Sequence, residues 1–347
     1  MTGTGPADRP GIGPAGARPI EPGIGPAGAR RTGPGIAPAA APAIAPAIGP
    51  GIGSVVASLA EPVDEHVRRR PAAPLRPFVA WYSGYRTAGA PPGRHIGLPS
   101  PYLTLILTLD DPVMVAAHPD PSRPPCAYDT LISGLHTAPA LITHDGRQSG
   151  VQLALTPAGV RALFGLPAGE LAATEVEAAD VLGAPALRLR DRLRAAPGWT
   201  ERFALLDAEL PALIAGRPGA GPAPEVGWAW RRLLAGGGAV PVGELAAETG
   251  WSPRHLSGRF RAEIGLTPKQ VARVVRFDRA RRLLARRAAA GGPPELARLA
   301  AACGYYDQAH LAREFREFAG HAPVRWLAEE FRNVQVTGPP EAADSPV

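Results

Sequence analysis

Between residues 252 and 266 the chain places Leu256, Phe260 and Ile264 one helical turn apart, with polar or small residues filling the intervals. Between residues 307 and 320, Leu311, Phe315 and Phe318 do the same. At about 100° per residue each triple forms one face of an amphipathic helix, and those faces are core. Ser252, followed by Pro253, is a good N-cap; Asp307 takes the same place in the second segment. Trp251 before the first cap is placed to staple onto Leu256, and Tyr306 before the second onto Leu311. Gly265 and Gly320 mark the expected ends. Short Ala-rich helices are expected at 242–249 and 296–303, each followed by a tight turn holding Gly250 or Gly304. Helix, glycine turn, second helix is a helix-turn-helix, whose second helix enters the major groove of DNA.

The two segments are copies of one unit. Leu256, Phe260, Gly265 and Pro268 stand 55 positions before Leu311, Phe315, Gly320 and Pro323, whereas Leu245, Ala246 and Gly250 stand 54 before Leu299, Ala300 and Gly304. One residue has been added between the pieces. Residues 269–287 lack Pro and Gly and read as one long helix, about 28 Å at ~1.5 Å per residue. Successive major grooves on one face of a duplex lie ~34 Å apart, so such a helix suits two reading helices carried by one chain.

Upstream the pattern changes. Runs rich in branched residues at 102–109, 113–117, 130–135, 140–143 and 151–155, bounded by Pro, Gly or Asp, predict strands. Helices are expected at 157–164, after a capping Thr156, and at 199–213. The fold class expected is therefore α+β in two domains: a mainly β domain with helices at 74–215, a linker at 216–224, and an all-α domain of two helix-turn-helix units joined by a long helix at 225–330. Gly, Pro and Ala occupy 36 of the first 53 positions, and GIGPAGAR occurs twice there, so 1–53 is expected to be a disordered tail. Residues 331–347 read as a flexible C-terminal tail.

Composition sharpens this picture through charge. The chain carries 37 Lys+Arg against 31 Asp+Glu, a net +6, and residues 225–330 hold 17 basic against 11 acidic residues, the whole of the excess. Basic charge gathered on one domain is the footprint of a polyanion binder. The two cysteines, Cys126 and Cys303, are far apart and have no Cys or His at ligand spacing, which suggests neither a disulfide framework nor a zinc site. No apolar run reaches the ~18 residues of a membrane span and no secretory pattern opens the chain, so a cytoplasmic protein is expected.

Opposite the core stripes lie Arg254, Gly258 and Arg261 in the first reading helix and Ala309, Arg313 and Arg316 in the second, with His255, Ser257, Gln308 and His310 on the flanks or first turn. Arg, Gln and Ser read base edges or phosphates. Arg254, His255, Ser257, Arg261, Gln308, His310, Arg313 and Arg316 are accordingly the candidate DNA-binding residues.

The region from Gly227 to Glu330 resembles the DNA-binding domain of the AraC/XylS family of bacterial transcriptional regulators. The resemblance rests on Ala246-Ala247, Ser252, Leu256, Phe260, Gly265, Pro268, Arg276, Ala280, Leu283-Leu284, Ala301, Gly304-Tyr305, Asp307, Leu311, Phe315, Gly320 and Pro323. It implies a sequence-specific DNA-binding regulator, not an enzyme, reading two successive major-groove segments of double-stranded promoter DNA. The family's base-contact positions fall on Arg254, Ser257, Gly258, Gln308, Ala309, Ala312 and Arg313. For residues 74–215 it implies an effector-sensing or oligomerisation domain, with a small-molecule effector, RNA polymerase and a second copy of the chain as further partners. No cofactor and no membrane partner are implied.

Two rival readings have their own tests. A fusion to an alkyl-transfer repair enzyme needs an activated thiolate, and neither PPCAYD around Cys126 nor AACGYY around Cys303 has that family's Pro-Cys-His-Arg context. A nonspecific DNA-associated interaction protein would show no preference for one site. His95, His136, His144 and Asp145 are candidates to line a pocket or hold a metal.

Overall fold

A computed structural model describes residues 62–216 and 221–335, together with the two-residue strand Arg18–Pro19. The expected tail at 1–53, apart from that strand, and residues 336–347 lie outside the described residues. In chain order the strands are β1 (Arg18–Pro19), β2 (Val63–Arg69), β3 (Val79–Ala88), β4 (Gly93–Gly97), β5 (Leu103–Thr108), β6 (Val113–Ala117), β7 (Cys126–Tyr128), β8 (Thr130–Ser133), β9 (Ala140–His144), β10 (Gln148–Leu155) and β11 (Glu175–Glu177). They form two antiparallel sheets, ordered β1-β7-β6-β9-β4 and β11-β8-β5-β10-β3-β2. The sheets meet through Ile106, Leu131 and Tyr85 on one side and Val113, Val115, Cys126, Tyr128 and Ile142 on the other.

The outer face of the six-stranded sheet is covered by helices α1 (Pro157–Phe164), α2 (Ala178–Leu182), α3 (Ala184–Ala195) and α4 (Trp199–Ala215). Tyr82 stacks on Phe203 at 5.9 Å, and the Trp199 ring fills the space over Gly84, where a Cβ would lie 2.3 Å from it. Asp207 of α4 accepts hydrogen bonds from Ala72 N, Tyr82 Oη and Arg69 Nη2. These bonds tie β2, β3 and the intervening loop to the helical layer.

The folded chain therefore includes residues before 74. β2 pairs with β3 from Val63↔Ala88 to Arg69↔Tyr82. Its sequence, VDEHVRR, is an edge strand, and its charged, partly exposed positions hide the alternation that betrays inner strands.

The C-terminal helices are α5 (Pro224–Ala235), α6 (Val242–Thr249), α7 (Pro253–Ile264), α8 (Pro268–Ala289), α9 (Leu296–Ala302), α10 (Gln308–Ala319) and α11 (Pro323–Gln335). α6–α7 and α9–α10 are the two helix-turn-helix units, and the 22-residue α8 joins them. α8 opens with a full capping box: Thr267 Oγ1 accepts from Gln270 N, and Thr267 N donates to Gln270 Oε1.

The two domains share one continuous apolar core. Across their boundary the 3-10 turn Ala168–Leu171 packs on the C-terminal half of α7. There a Cβ on Gly169 would stand 2.3 Å from the Ala262 carbonyl oxygen, and one on Gly265 would stand 2.7 Å from Ala172 Cβ. Arg161 of α1 grips Glu263 of α7 with two hydrogen bonds, Nε–Oε1 2.7 Å and Nη2–Oε2 2.5 Å. A second contact brings Arg68 and Tyr102 beside Asp278, Arg281 and Arg282 of α8, and burial together with the two neighbouring guanidiniums lowers the pKa of Arg68.

Candidate nucleic-acid interface

Each reading helix is built on the same frame. Ser252 Oγ accepts from His255 N at 3.2 Å and Asp307 Oδ1 accepts from His310 N at 2.6 Å, so both helices start from a side-chain cap. Gly265 and Gly320 end them in the left-handed region at φ 96° and 72°. Leu256, Phe260 and Ile264, and in the second copy Leu311, Phe315 and Phe318, are all fully buried. Phe277 of α8 meets Phe315 and Phe318 edge-on at 5.0 and 5.2 Å, which fixes α10 against the connecting helix.

With those faces buried, the candidate residues divide into two groups. Arg254, His255 and Arg261 of α7, and Gln308, Arg313 and Arg316 of α10, are exposed. Ser257 is half-buried and turns its hydroxyl back to the Pro253 carbonyl at 2.7 Å. His310 is drawn inward: its ring stands edge-on to Tyr305 at 5.2 Å, and Nε2 lies 3.7 Å from Glu314. His255 packs edge-on against Trp251 at 4.6 Å but remains open to solvent.

Around Arg254 the surface forms a groove of about 380 Å³ lined by Ser252, Arg254, His255, Gly258 and Arg259. Nothing lies within 4 Å of a Cβ built on Gly258, so the backbone there is free to approach another surface closely. Arg259 is exposed beside Arg254 and lies as far round the helix from the core stripe as Arg261 does, on the other flank, a position the sequence pattern did not single out. On the other side of Gly258, the 3-10 turn of the first domain forms a second groove, where Glu170 and Arg261 share the lining with Ala262 and Gly265.

Arg276 is braced within the domain. Its Nη1 donates to the Gly238 carbonyl at 3.1 Å, Nη2 lies 3.8 Å from Glu314, and the guanidinium sits over the Tyr305 ring. Glu314, on the helix that carries Arg313, is buried and receives Arg273 Nε at 2.7 Å. This carboxylate and its two arginines lock α10 onto α8; the alternation of charge along 313–317 gave no sign of it.

The expected staple takes a different form in the second copy. Tyr306 is 94% exposed, and the buried aromatic before the cap is Tyr305 at 5%.

His95, His136, His144 and Asp145 do different things. His136 Nδ1 pairs with the Ala138 carbonyl at 2.6 Å, Asp145 Oδ1 accepts from Arg147 N, and His144 Nδ1 accepts from Gly146 N. Burial, with His144 and His66 nearby, pushes the His95 pKa down to about 4. Among the described residues no three His, Cys, Asp or Glu side chains are grouped to hold a metal, and no helix is long and apolar enough to cross a membrane. Both cysteines are buried, and burial raises the pKa of the Cys303 thiol, which opposes a thiolate nucleophile there.

A family model for a helix-turn-helix domain matches residues 245–329, and one for a domain of unknown function (DUF6597) matches residues 67–177. No curated protein matches the chain. Three solved structures are similar. The C-terminal domain of AraT, a response regulator from Geobacillus stearothermophilus, is 19% identical, with 32% of this chain and 88% of that chain covered and a TM-score of 0.29. ToxT from Vibrio cholerae is 9% identical, covering 71% and 97% with a TM-score of 0.42. Unsaturated fatty acid bound wild-type ToxT from Vibrio cholerae is 8% identical, covering 71% and 94% with a TM-score of 0.42.

Proposed function

We propose that this chain, which carries the AraC-type DNA-binding domain of a transcriptional regulator, is a one-component regulator that reads two successive major-groove segments of a promoter and answers to an effector through its β domain. The observation that carries the reading is the doubled frame: two capped helices with equivalent buried faces present Arg254, Arg259 and Arg261 from one copy and Gln308, Arg313 and Arg316 from the other. Exposed arginines on the second helix of a helix-turn-helix are placed to meet guanine edges and phosphates. Ser257 and His310 are committed to their own helices, so they position the surface more than they read it.

Effector response is supported by the contact between domains. The turn Ala168–Leu171 leads into β11 and packs on α7, so a displacement of that turn or of β11 reaches the first reading helix directly. The carboxylates of the second reading helix pair instead with α8, where Arg273 meets both Glu314 and Glu317. RNA polymerase and a second copy of the chain remain partners proposed for the assembled promoter complex, and the chemistry carried by the domain is binding, with no catalytic step assigned.

The test is selection of duplexes from a random-sequence pool by the full chain. The expected product is a motif of two short read segments about one helical turn apart. Failure to enrich any sequence over the starting pool would remove the reading.

A further inference from the structure

The second reading unit holds one residue more than the first, and the structure identifies it. Gly250 N and Gly304 N donate to the Ala247 and Ala301 carbonyls, while Trp251 N and Tyr305 N donate to the Ala246 and Ala300 carbonyls, both at 3.0 Å. Each pair is offset by 54. From the caps onward the offset is 55: Ser252 corresponds to Asp307 and His255 to His310. Ring contacts repeat the count, because Trp251 stands edge-on to His255 and Tyr305 edge-on to His310. Tyr305 is thus the counterpart of Trp251, and the added residue is Tyr306.

Nothing in the fold accounts for a tyrosine at that point. Its side chain is 94% exposed, its backbone N–H makes one long contact of 3.5 Å to His310 Nδ1, and the buried aromatic before the cap is Tyr305, edge-on to His310. An aromatic ring left wholly in water is typical of a surface that becomes buried on association. Its place narrows the partner. Tyr306 directly precedes the N-cap of α10, and the N-terminal residues of a recognition helix are those that meet DNA. Gln308 and Ala309, both exposed, follow within one turn.

We propose that Tyr306 is a DNA-backbone contact peculiar to the second reading unit, its phenol hydroxyl donating to a phosphate oxygen and its ring lying against the adjoining sugar. Such a contact carries no base preference but fixes the register of α10 in the groove. The inference rests on the regulator reading above and deepens it: the two readers differ in grip, and the second holds the backbone through a neutral, salt-insensitive anchor that the first lacks.

Full-length wild type, Tyr306→Ala, Tyr306→Phe and Arg313→Ala are titrated against a duplex selected by the wild type and against random duplex, at several salt concentrations. Tyr306→Ala is expected to weaken both affinities by about fivefold, the worth of one hydrogen bond of ordinary strength. The thermal midpoint should be unchanged, since the side chain packs on nothing, and so should the salt slope, since no charge is removed. Tyr306→Phe, keeping the ring, should fall between Tyr306→Ala and wild type. A Tyr306→Ala protein that binds as wild type does, while Arg313→Ala loses affinity, overturns the backbone contact and leaves the regulator reading standing. Loss of transcriptional output with unchanged DNA affinity overturns it in favour of a protein partner. A wild type that binds no duplex above a neutral control protein overturns both.

Discussion

Arg254 and Arg313 differ from Arg276 in what holds them. The first two are exposed on the poles opposite Leu256 and Leu311, and among the described residues neither guanidinium has a hydrogen-bond or ion-pair partner. Arg276 is spent on the Gly238 carbonyl, Glu314 and the Tyr305 ring. Arg254→Ala and Arg313→Ala are therefore expected to cost about 1–3 kcal/mol each in binding to the selected duplex, with little change toward random duplex and none in thermal midpoint. Arg276→Ala is expected to lower the thermal midpoint and both affinities together, because a buried carboxylate loses a cation and a carbonyl loses its donor. Equal losses toward selected and random duplex for Arg254→Ala and Arg313→Ala would make them phosphate clamps. What braces Arg276 includes the carbonyl of Gly238, in a loop 38 positions away, a partner no local pattern announces. The exposed arginines were legible because a 3.6-residue period says which pole faces outward. The inward turn of His310 was not, since it depends on Tyr305 and on the partners of Glu314.

Elements that carry their own start and stop signals were legible to within a few residues. α1 and α6 occupy the expected 157–164 and 242–249, and β6 the expected 113–117, because caps, glycines and bounding Pro or Asp stand at their ends. β2 and β3 were missed for opposite reasons: β2 is a charged edge, and β3 holds the glycine that admits the Trp199 ring, so neither shows clean alternation. α8 was expected at 269–287 and runs Pro268–Ala289, one residue longer at its start, where the Thr267–Gln270 box sets the first turn, and two longer at its end. Thr267→Ala removes the hydroxyl half of that box and touches none of the candidate DNA-binding side chains. It is expected to lower stability by about 1 kcal/mol, read in thermal or denaturant unfolding, with specific DNA affinity retained once the protein is folded. An unchanged midpoint would show that packing along α8 alone sets its start.

At the scale of the molecule, the apolar core passes without a break from the six-stranded sheet into the helical domain. The junction is also polar: the Arg161–Glu263 pair, half-shielded from water, joins α1 to α7 beside the tightly packed Gly169. Arg161→Ala is expected to loosen this docking, so that unfolding separates into two transitions and the segment near residue 217 is cut faster by protease. A single unchanged transition would show that apolar contact alone holds the domains. None of this junction could be read from the sequence, because Arg161 and Glu263 lie 102 positions apart on helices of different domains. The central claim is that one chain reads two successive major grooves with two copies of one unit. Inserting about five base pairs between the two read segments of the selected duplex turns the second segment to the opposite face of the DNA. The account predicts that full-length protein then binds no more tightly than a single segment allows, and that inserting about ten base pairs does not restore the contact, because α8 fixes the separation at close to one turn. Affinity unchanged by the five-base-pair insertion would contradict it.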